Sequence, residues 1–461
     1  MTVESAEEAP TLQSDLGLNP DFVRSVLDAL DASDGPTVRL LVSELQPPDV
    51  ADLLAVVRPD ERSALLRLLG QTLDPEVLPE LEAEIRDQVL DEMAPEALAA
   101  AVQELDSDDA TYLLEDLPKE RQEEILAQVP VEERSAVELS LRSEEGTAGR
   151  LMQREFISVP SYWSVGQVID YLRETPGLPE EFYEIFVVDP GLHPIGTVRL
   201  STVMRTRRQA MIGDIMEADP HLIPIDMDQE EIAYLFDQYN LVSAAVIDSD
   251  HRIVGMLTVD DVVDVIAEEA QEDLFALSGV HDESLSDNFL STARRRFSWL
   301  FVNLLTALLA SGVIALFQAS IEKVVALAIL MPIVASMGGN AGTQTLTVAV
   351  RALATKELSA TNAIRIVWRE VLVGGFNGIL FAVLMGIVAG IWFEAASIAV
   401  VVACAMIVNL IAAGLAGILV PLTLERMGAD PAISSAVFVT TVTDVCGFFV
   451  FLGLATWVLA A

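Results

Sequence analysis

The residues best suited to do chemistry in an apolar environment lie between Asp430 and Asp444, in the sequence DPAISSAVFVTTVTD. Asp444 falls well inside the last of five apolar segments. A carboxylate there costs roughly a few kcal/mol unless it faces a water-filled path or a partner. The alternative is a bond to a neighbouring helix or a buried arginine, which would come from another helix because no basic residue follows Arg426. We therefore predict that this stretch forms the wall of an ion path.

The second apolar segment has a polar centre, GGNAGTQ at 338–344, that could also meet a cation. Its amides, Asn340 and Gln344, are four residues apart and so share one helix face. The glycines have two explanations: they permit close helix packing, or they loosen the helix and expose carbonyl oxygens to a cavity. Asn409, in the fourth segment, is expected to bond another helix rather than an ion.

Carboxylates also crowd a part of the chain that precedes the apolar segments. Asp261, Asp264 and Glu268 follow one another at spacings of three and four, so they share a helix face and destabilise it unless a cation or partner neutralises them. Carboxylate oxygen suits Mg²⁺ or Ca²⁺, whereas a solvated acidic face is the other explanation. The candidate regulatory ligands are Asp226, Asp228, Asp260, Asp261, Asp264, Glu268 and Glu269.

These residues belong to a chain of two contrasting parts. The 461 residues carry a net charge of −43, but residues 1–290 carry −45 and residues 291–461 carry +2. This contrast predicts a very acidic soluble part joined to a membrane part. Such acidity argues against nucleic-acid binding and against docking of the soluble part on anionic lipid. The first ten residues lack a basic region and an apolar run, so we expect no signal peptide.

Each of the five apolar segments is long enough to cross a bilayer. The basic residues between them cluster in alternate loops, which by the positive-inside rule places the N-terminus in the cytoplasm and the C-terminus outside. The sequence thus predicts a multi-pass protein of the cell membrane. The predicted spans are 298–320, 324–350, 370–393, 396–424 and 431–459.

Residues 20–140 show the pattern of short amphipathic helices. Proline and an acidic residue recur at apparent helix starts, as at Pro59-Asp60 and Pro95-Glu96, where both suit the first turn. Apolar residues follow at helical spacing. The repetition has no fixed period, so we predict an irregular all-α superhelix.

Residues 150–270 contain two units of similar layout, each with a short strand, a helix, two strands and another helix. The first begins with FISVP at 156–160 and the second with LIPID at 222–226. This duplication resembles a tandem pair of CBS domains, an α/β fold that often binds adenine nucleotides. The second unit carries the family's ribose-phosphate motif, with Thr258 and Asp261 as its polar members, whereas the first departs from it at Arg199. The resemblance therefore implies a nucleotide such as ATP in the second unit, whereas Arg199 argues against one in the first.

Four divisions of the chain follow from these patterns. They are an acidic helical N-terminal domain at 1–143, the CBS pair at 144–270, a connecting helix at 271–296 and a five-helix transmembrane domain at 297–461. We expect the connecting helix to be interrupted around Ser278.

The order of these parts and three motifs together resemble the MgtE family of magnesium transporters and channels. The motifs are GGNAGTQ in span two, Arg369-Glu370 at the start of span three and DPA…FVTTVTDV in span five. MDQEEIAYLFDQYNL at 227–241 resembles the family's second CBS unit. One departure is Ala436-Val437, where the family often has Gly or Asn followed by Pro, so we expect a straighter start to span five.

The resemblance implies a homodimer with one Mg²⁺ pore between the two membrane domains. Asp444 of each subunit would bind the ion, with carbonyl oxygens near Thr440 and Thr441 and the amide of Asn340 close by. Asp430 would lie at the cytoplasmic mouth. The cytosolic acids would bind abundant Mg²⁺ and close the pore through the connecting helix.

Two other functions stay open from the sequence. A secondary transporter could couple a divalent cation to H⁺ or Na⁺ at Asp444, and a membrane-anchored nucleotide sensor could recruit partners without transport. We do not expect an enzyme, because the four histidines lie apart and no catalytic motif is evident.

Overall fold

The structure is a computed structural model and describes residues 13–14, 17–179, 182–279, 289–358, 361–432 and 435–460. The chain forms two compact units, Met1–Val265 and Ile266–Ala461, whose boundary falls inside the helix α15. Each unit is described by itself.

The first unit begins with short helices around one apolar core. Prolines occupy the first turn of most of these helices, including Pro59 and Pro95, because a residue there needs no N–H donor. The predicted all-α region is confirmed. A two-stranded ribbon, β1 (Gln13–Ser14) and β2 (Gly17–Leu18), precedes it. The helices α1 to α9 are Pro20–Asp31, Gly35–Val42, Pro47–Val56, Pro59–Leu69, Ala83–Glu92, Pro95–Glu104, Ser107–Glu115, Lys119–Leu126 and Val131–Ser140.

Buried arginines brace these helices against one another. Arg86, only 2% exposed, lies 4.0 Å above the ring of Tyr112 and donates to the carboxylate of Asp116 at 2.8 Å. Arg62 donates to the carbonyl of Leu54 at 2.8 Å. Because buried polar groups need partners, these bonds hold α4 against α3 and α5 against the end of α7.

The rest of the first unit has the predicted double α/β layout. In each half the first strand pairs in parallel with the second, which pairs antiparallel with the third. The short strand β6 was not predicted and extends the first sheet. The elements are α10 (Ala148–Leu151), β3 (Ser158–Pro160), α11 (Val165–Glu174), β4 (Glu184–Val188), β5 (Pro194–Arg199), α12 (Leu200–Arg205), α13 (Ile212–Ile215), β6 (Glu217–Ala218), β7 (Leu222–Pro224), α14 (Gln229–Tyr239), β8 (Ser243–Ile247), β9 (Ile253–Thr258) and α15 (Val259–Ser278).

The two sheets pack together through a small apolar cluster. Phe186 and Val188 of β4 contact Ala245 of β8 and Ile253 and Met256 of β9, and all five are buried. Both faces of β4 and β8 are buried, because one face packs on the helices of its own half and the other meets the opposite sheet.

The second unit contains five helices long and apolar enough to cross a membrane. The number of spans agrees with the prediction, but the bounds differ. The first long helix ends at Ala315 rather than at residue 320, and a separate short helix follows it. The elements are α16 (Phe289–Ala315), α17 (Gln318–Lys323), α18 (Ala326–Ala354), α19 (Ala363–Phe393), α20 (Ala396–Arg426) and α21 (Ser435–Ala460).

The predicted connecting helix at 271–296 is not a separate element. Residues 271–278 are the last turns of α15, which ends at Ser278 beside the predicted interruption, where Gly279 adopts a φ of +69°. Residues 289–296 are the first turns of α16. Residues 280–288 lie outside the described part of the chain.

Of the two explanations for the glycines of span two, the loosened helix is excluded, since α18 is helical throughout, including its glycines. The packing explanation holds instead. A Cβ at Gly338 would lie 2.1 Å from the amide nitrogen of Asn409, and one at Gly342 would lie 2.6 Å from Val439. Asn409 is fully buried and donates to the carbonyl of Val334 at 2.8 Å, the expected interhelical bond. Helix α20 thus packs against α18 at a distance that only glycine allows.

Candidate functional site

Asp444 lies half-buried on α21 and faces a cavity of about 360 Å³. Its carboxylate has no hydrogen-bond or ion-pair partner among the described residues. The cavity is lined on one side by α16 and on the other by α21, and three of its polar side chains besides Asp444 are threonines. The lining residues are Leu277, Trp299, Asn303, Thr306, Ala307, Ala436, Val437, Thr440, Thr441 and Asp444.

The cavity brings together three of the predicted pore residues. Thr440 and Thr441 lie one turn before Asp444 on α21. Their hydroxyls donate to backbone carbonyls one turn earlier, at 2.8 and 2.6 Å, which leaves their oxygen lone pairs directed outward as acceptors. The carbonyl of Thr440 accepts from the hydroxyl of Thr443 at 2.9 Å. The Thr440 and Thr441 hydroxyl oxygens thus line the cavity, and the predicted role of the carbonyl oxygens near them stays a prediction.

Sequence reasoning missed the α16 side of this cavity. Trp299, Asn303 and Thr306 are spaced by four and three residues and share the face that meets α21. The signal was present, because Asn303 and Thr306 are polar residues inside an apolar span. An amide and a hydroxyl thus line the same cavity as the carboxylate, and such groups can hydrogen-bond the waters of a hydrated cation.

Asn340 is exposed on α18 and does not line this cavity in the single chain. The neighbouring Gly339 faces α21, since a Cβ there would lie 3.9 Å from the methyl group of Thr440. The polar side chains of α18 nevertheless form one exposed stripe. The stripe consists of Ser336, Asn340, Thr343, Gln344 and Thr347.

Asp430 is exposed and precedes α21, and its carboxylate accepts from the backbone N–H of Ala432 at 2.7 Å. Asp273 of α15 lies close enough to Asp430 for the two carboxylates to repel each other. Burial first, and then the carboxylates of Asp430 and Glu272, raise the pKa of Asp273. Two carboxylates thus approach each other near the start of α21.

A second acidic meeting point lies within the first unit, between α7 and α15. Burial raises the pKa of Asp109 to about 7, and the carboxylate of Asp261 adds to the effect. The same two causes raise the pKa of Asp108 well above its ordinary value. Burial also raises the pKa of Asp261 to about 6, although its bonds from Thr258 oppose the change. These pKa values indicate that negative charge is held here at a cost.

Glu80 extends the same acidic surface. Burial and the nearby carboxylate of Asp264 raise the pKa of Glu80, and burial and Asp260 raise that of Asp264. The structure thus joins predicted residues of α15 to acids of the N-terminal helices that sequence reasoning had not singled out. The residues Ser107, Asp108 and Asp109 are typical of the first turn of a helix, where acidic side chains are common. Their sequence alone therefore did not indicate a cation site.

The other predicted acids lie elsewhere. Asp226 and Asp228 are exposed before α14, where Asp228 caps the helix by accepting from the N–H of Glu230 at 2.9 Å. Glu268 and Glu269 lie further along α15, in the second unit. Across the described residues, no three carboxylate, imidazole or thiol side chains converge to hold a bare metal ion.

The predicted nucleotide residues bond each other. The backbone N–H of Thr258 donates to the carboxylate of Asp261 at 3.3 Å, and the Thr258 hydroxyl donates to the same oxygen. In the first half, the guanidinium of Arg199 lies 3.6 Å from Glu184, whose carboxylate accepts from Ser243 at 3.0 Å. Arg199 of the first half therefore contacts a carboxylate of its own sheet, and nucleotide binding by either half stays a prediction.

Comparison with known proteins agrees with this architecture. Three family models match the chain: "Divalent cation transporter" over residues 331–454, "MgtE intracellular N domain" over 45–146 and "CBS domain" over 212–268. The Magnesium transporter MgtE of Thermus thermophilus is 32% identical over 445 residues, which cover 95% of this chain and 98% of that protein. The chain belongs to the MgtE family.

Other MgtE proteins match over shorter stretches. The Magnesium transporter MgtE of Enterococcus faecalis is 32% identical over 316 residues, or 68% of this chain and 70% of that protein. A solved structure described as the cytosolic domain of the Mg²⁺ channel MgtE in complex with ATP is 30% identical, with a TM-score of 0.49. It covers 53% of this chain and 99% of that chain. This MgtE chain is therefore a multi-pass membrane protein with a helical N-terminal region and a CBS pair.

Proposed function

We propose that this MgtE chain conducts Mg²⁺ passively across the cell membrane, along a path that passes Asp444. The observation that carries the proposal is the Asp444 carboxylate, which faces a polar cavity without a partner among the described residues. A charge kept at membrane depth without neutralisation is expected where a cation passes.

The chemistry of Mg²⁺ suits this cavity. Mg²⁺ loses water reluctantly and is bound through one or two carboxylates while it keeps several waters. Asp444 would supply the charge, and Asn303, Thr306, Thr440 and Thr441 would accept or donate to the bound waters. The magnesium transporters to which the chain is similar support the choice of ion.

A second copy would complete the path. The exposed polar stripe of α18, which includes Asn340, Gln344 and Thr347, cannot face lipid without cost. In a homodimer these stripes would meet each other or water, and Asn340 would come near the path lined by Asp444. Asp430 would lie at the cytoplasmic mouth, since the basic loops place residues 1–290 in the cytoplasm.

The acidic surfaces would close the path when cytosolic Mg²⁺ is plentiful. Asp108, Asp109 and Asp261 repel one another, so a cation bound between α7 and α15 stabilises their contact. Asp273 and Asp430 would be bridged in the same way near α21. Ions that bind only the closed state favour it by mass action, at concentrations of roughly a millimolar for weak carboxylate sites. The other regulatory candidates, Asp226, Asp228, Asp260, Asp264, Glu268 and Glu269, would add weaker sites.

An adenine nucleotide such as ATP would bind the second CBS unit. Its ribose would take the place of Thr258 as the partner of Asp261, since the two residues now bond each other. A titration of the purified chain with ATP tests this, and the Asp261→Asn variant should bind more weakly. Unchanged binding by the variant would remove Asp261 from the site.

Uptake of Mg²⁺ into proteoliposomes, followed with a Mg²⁺-sensitive dye, tests the main proposal. The wild-type chain should respond to the Mg²⁺ gradient alone, and Asp444→Ala should abolish uptake. Glu322→Gln is the matched control, because among the described residues Glu322 bonds only Gln318, at 2.8 Å on the short helix α17. Uptake that requires a H⁺ or Na⁺ gradient would favour a coupled transporter, and uptake unaffected by Asp444→Ala would contradict the proposed path.

A further inference from the structure

The start of α19 presents an unusual surface for a membrane-spanning helix. Trp368 and Leu372, one turn apart, are 63% and 70% exposed, and Phe376 in the next turn is 65% exposed. Beside them lie the guanidinium groups of Arg365 and Arg369. The apolar parts of these side chains line an open groove of about 470 Å³, at the end of the helix where the apolar span begins.

The charges of the two arginines are not offset by a partner in the part of the chain that the structure describes. Neither Arg365 nor Arg369 has an ion-pair or side-chain hydrogen-bond partner among the described residues. The adjacent Glu370 does not neutralise them, because it points into the protein and accepts from the Thr345 hydroxyl at 3.2 Å. Positions four apart on a helix lie about 5–6 Å from each other, so both guanidinium groups can reach one anionic group.

We propose that this groove binds an anionic phospholipid. The phosphodiester would accept hydrogen bonds from Arg365 and Arg369, whose planar groups match phosphate oxygens. Trp368 would lie at the level of the head group, where tryptophan is favoured. An acyl chain would run along Leu372 and Phe376 toward the membrane centre. Charge complementarity selects this occupant, since a lipid of net charge −1 offsets one of the two positive charges, whereas a zwitterionic lipid, whose own cation cancels its phosphate, offsets neither.

The groove is separate from the proposed ion path. None of its lining residues belongs to the cavity of Asp444. The proposal therefore stands or falls independently of Mg²⁺ conduction.

Native mass spectrometry of the full-length chain in detergent tests the proposal. Phosphatidylglycerol and phosphatidylcholine with identical acyl chains would be titrated in competition. We expect the wild-type chain to prefer phosphatidylglycerol over phosphatidylcholine. In the double variant Arg365→Gln/Arg369→Gln, the ratio of the two affinities should fall about fivefold for each arginine removed. The double variant Arg365→Lys/Arg369→Lys should retain most of the preference, because both positive charges remain, and unchanged binding of phosphatidylcholine by the glutamine variant shows that it is folded.

A matched control uses two bases outside the groove, Arg351→Gln/Lys356→Gln, which should leave the preference unchanged. Equal binding of the two lipids by the wild-type chain would overturn the proposal, as would a preference that survives the glutamine variant. Displacement of phosphatidylglycerol by excess inorganic phosphate would show a phosphate site rather than a lipid site. Loss of a dimer in the glutamine variant, visible in the same spectra, would show that a second copy covers this face.

Discussion

Asp109 of α7 and Asp261 of α15 lie close enough to repel each other, although they are far apart in the sequence. Burial of both side chains strengthens the effect, because charges attract or repel more strongly away from water. The contact between the N-terminal helices and α15 is therefore weakened by its own charges. A divalent cation would remove that cost.

The first prediction concerns Asp109→Asn, which removes one of the repelling charges. We expect the variant to gain about 1 kcal/mol of stability without Mg²⁺, on the scale of a one-unit pKa shift. It should also gain less than the wild-type chain when Mg²⁺ is added. Thermal melts at several Mg²⁺ concentrations measure both effects.

Asp28→Asn is the control for that experiment, because Asp28 is an exposed acid on α1. It should change neither the melt nor its Mg²⁺ dependence. If Asp109→Asn behaved like Asp28→Asn, the acidic contact would not be a cation site.

The second prediction concerns pH. The folded-state pKa values of Asp109, about 7, and Asp261, about 6, lie above the ordinary value of 3.8. The folded state therefore binds more protons than the unfolded state between these values, and stability falls as pH rises toward 7. Added Mg²⁺ should stabilise the protein much more at pH 8 than at pH 5.5, where protons already neutralise the carboxylates. Melts at the two pH values test this, and an equal gain from Mg²⁺ at both would exclude these residues.

The third prediction concerns the glycines of α18. Gly338→Ala places a methyl group 2.1 Å from the buried amide of Asn409, so it should cost about 1–3 kcal/mol through overpacking. Gly312→Ala on α16 is the matched change, since nothing lies within 4 Å of its Cβ, and it should be neutral or stabilising. The melting temperatures of the two purified variants in detergent give the comparison. Equal melting temperatures would mean that α18 and α20 are not packed as described.

Much of the fold followed from local patterns. Prolines such as Pro59 and Pro95 mark helix starts because their chemistry acts within one turn. Alternation between strands and helices predicted both α/β halves, and length with apolarity predicted five spans. The bounds were less predictable: the α16 helix ends at Ala315, although apolar residues continue beyond it.

The sites were predictable only where one residue conflicts with its surroundings. Asp444 is such a residue, since a carboxylate in an apolar span is costly. Asp108 and Asp109 are not, because an acid in the first turn of a helix is ordinary. Their significance appears only when folding places Asp261 beside them. The glycines of α18 were ambiguous for the same reason, until the position of Asn409 resolved their role.

Single-channel recording from inside-out membrane patches tests the central claim most directly. We predict Mg²⁺ currents that need no H⁺ or Na⁺ gradient and that are absent in Asp444→Ala. The open probability of the wild-type channel should fall as the Mg²⁺ concentration rises on the cytoplasmic face. Currents in Asp444→Ala equal to those of the wild-type chain would contradict a Mg²⁺ path past this carboxylate.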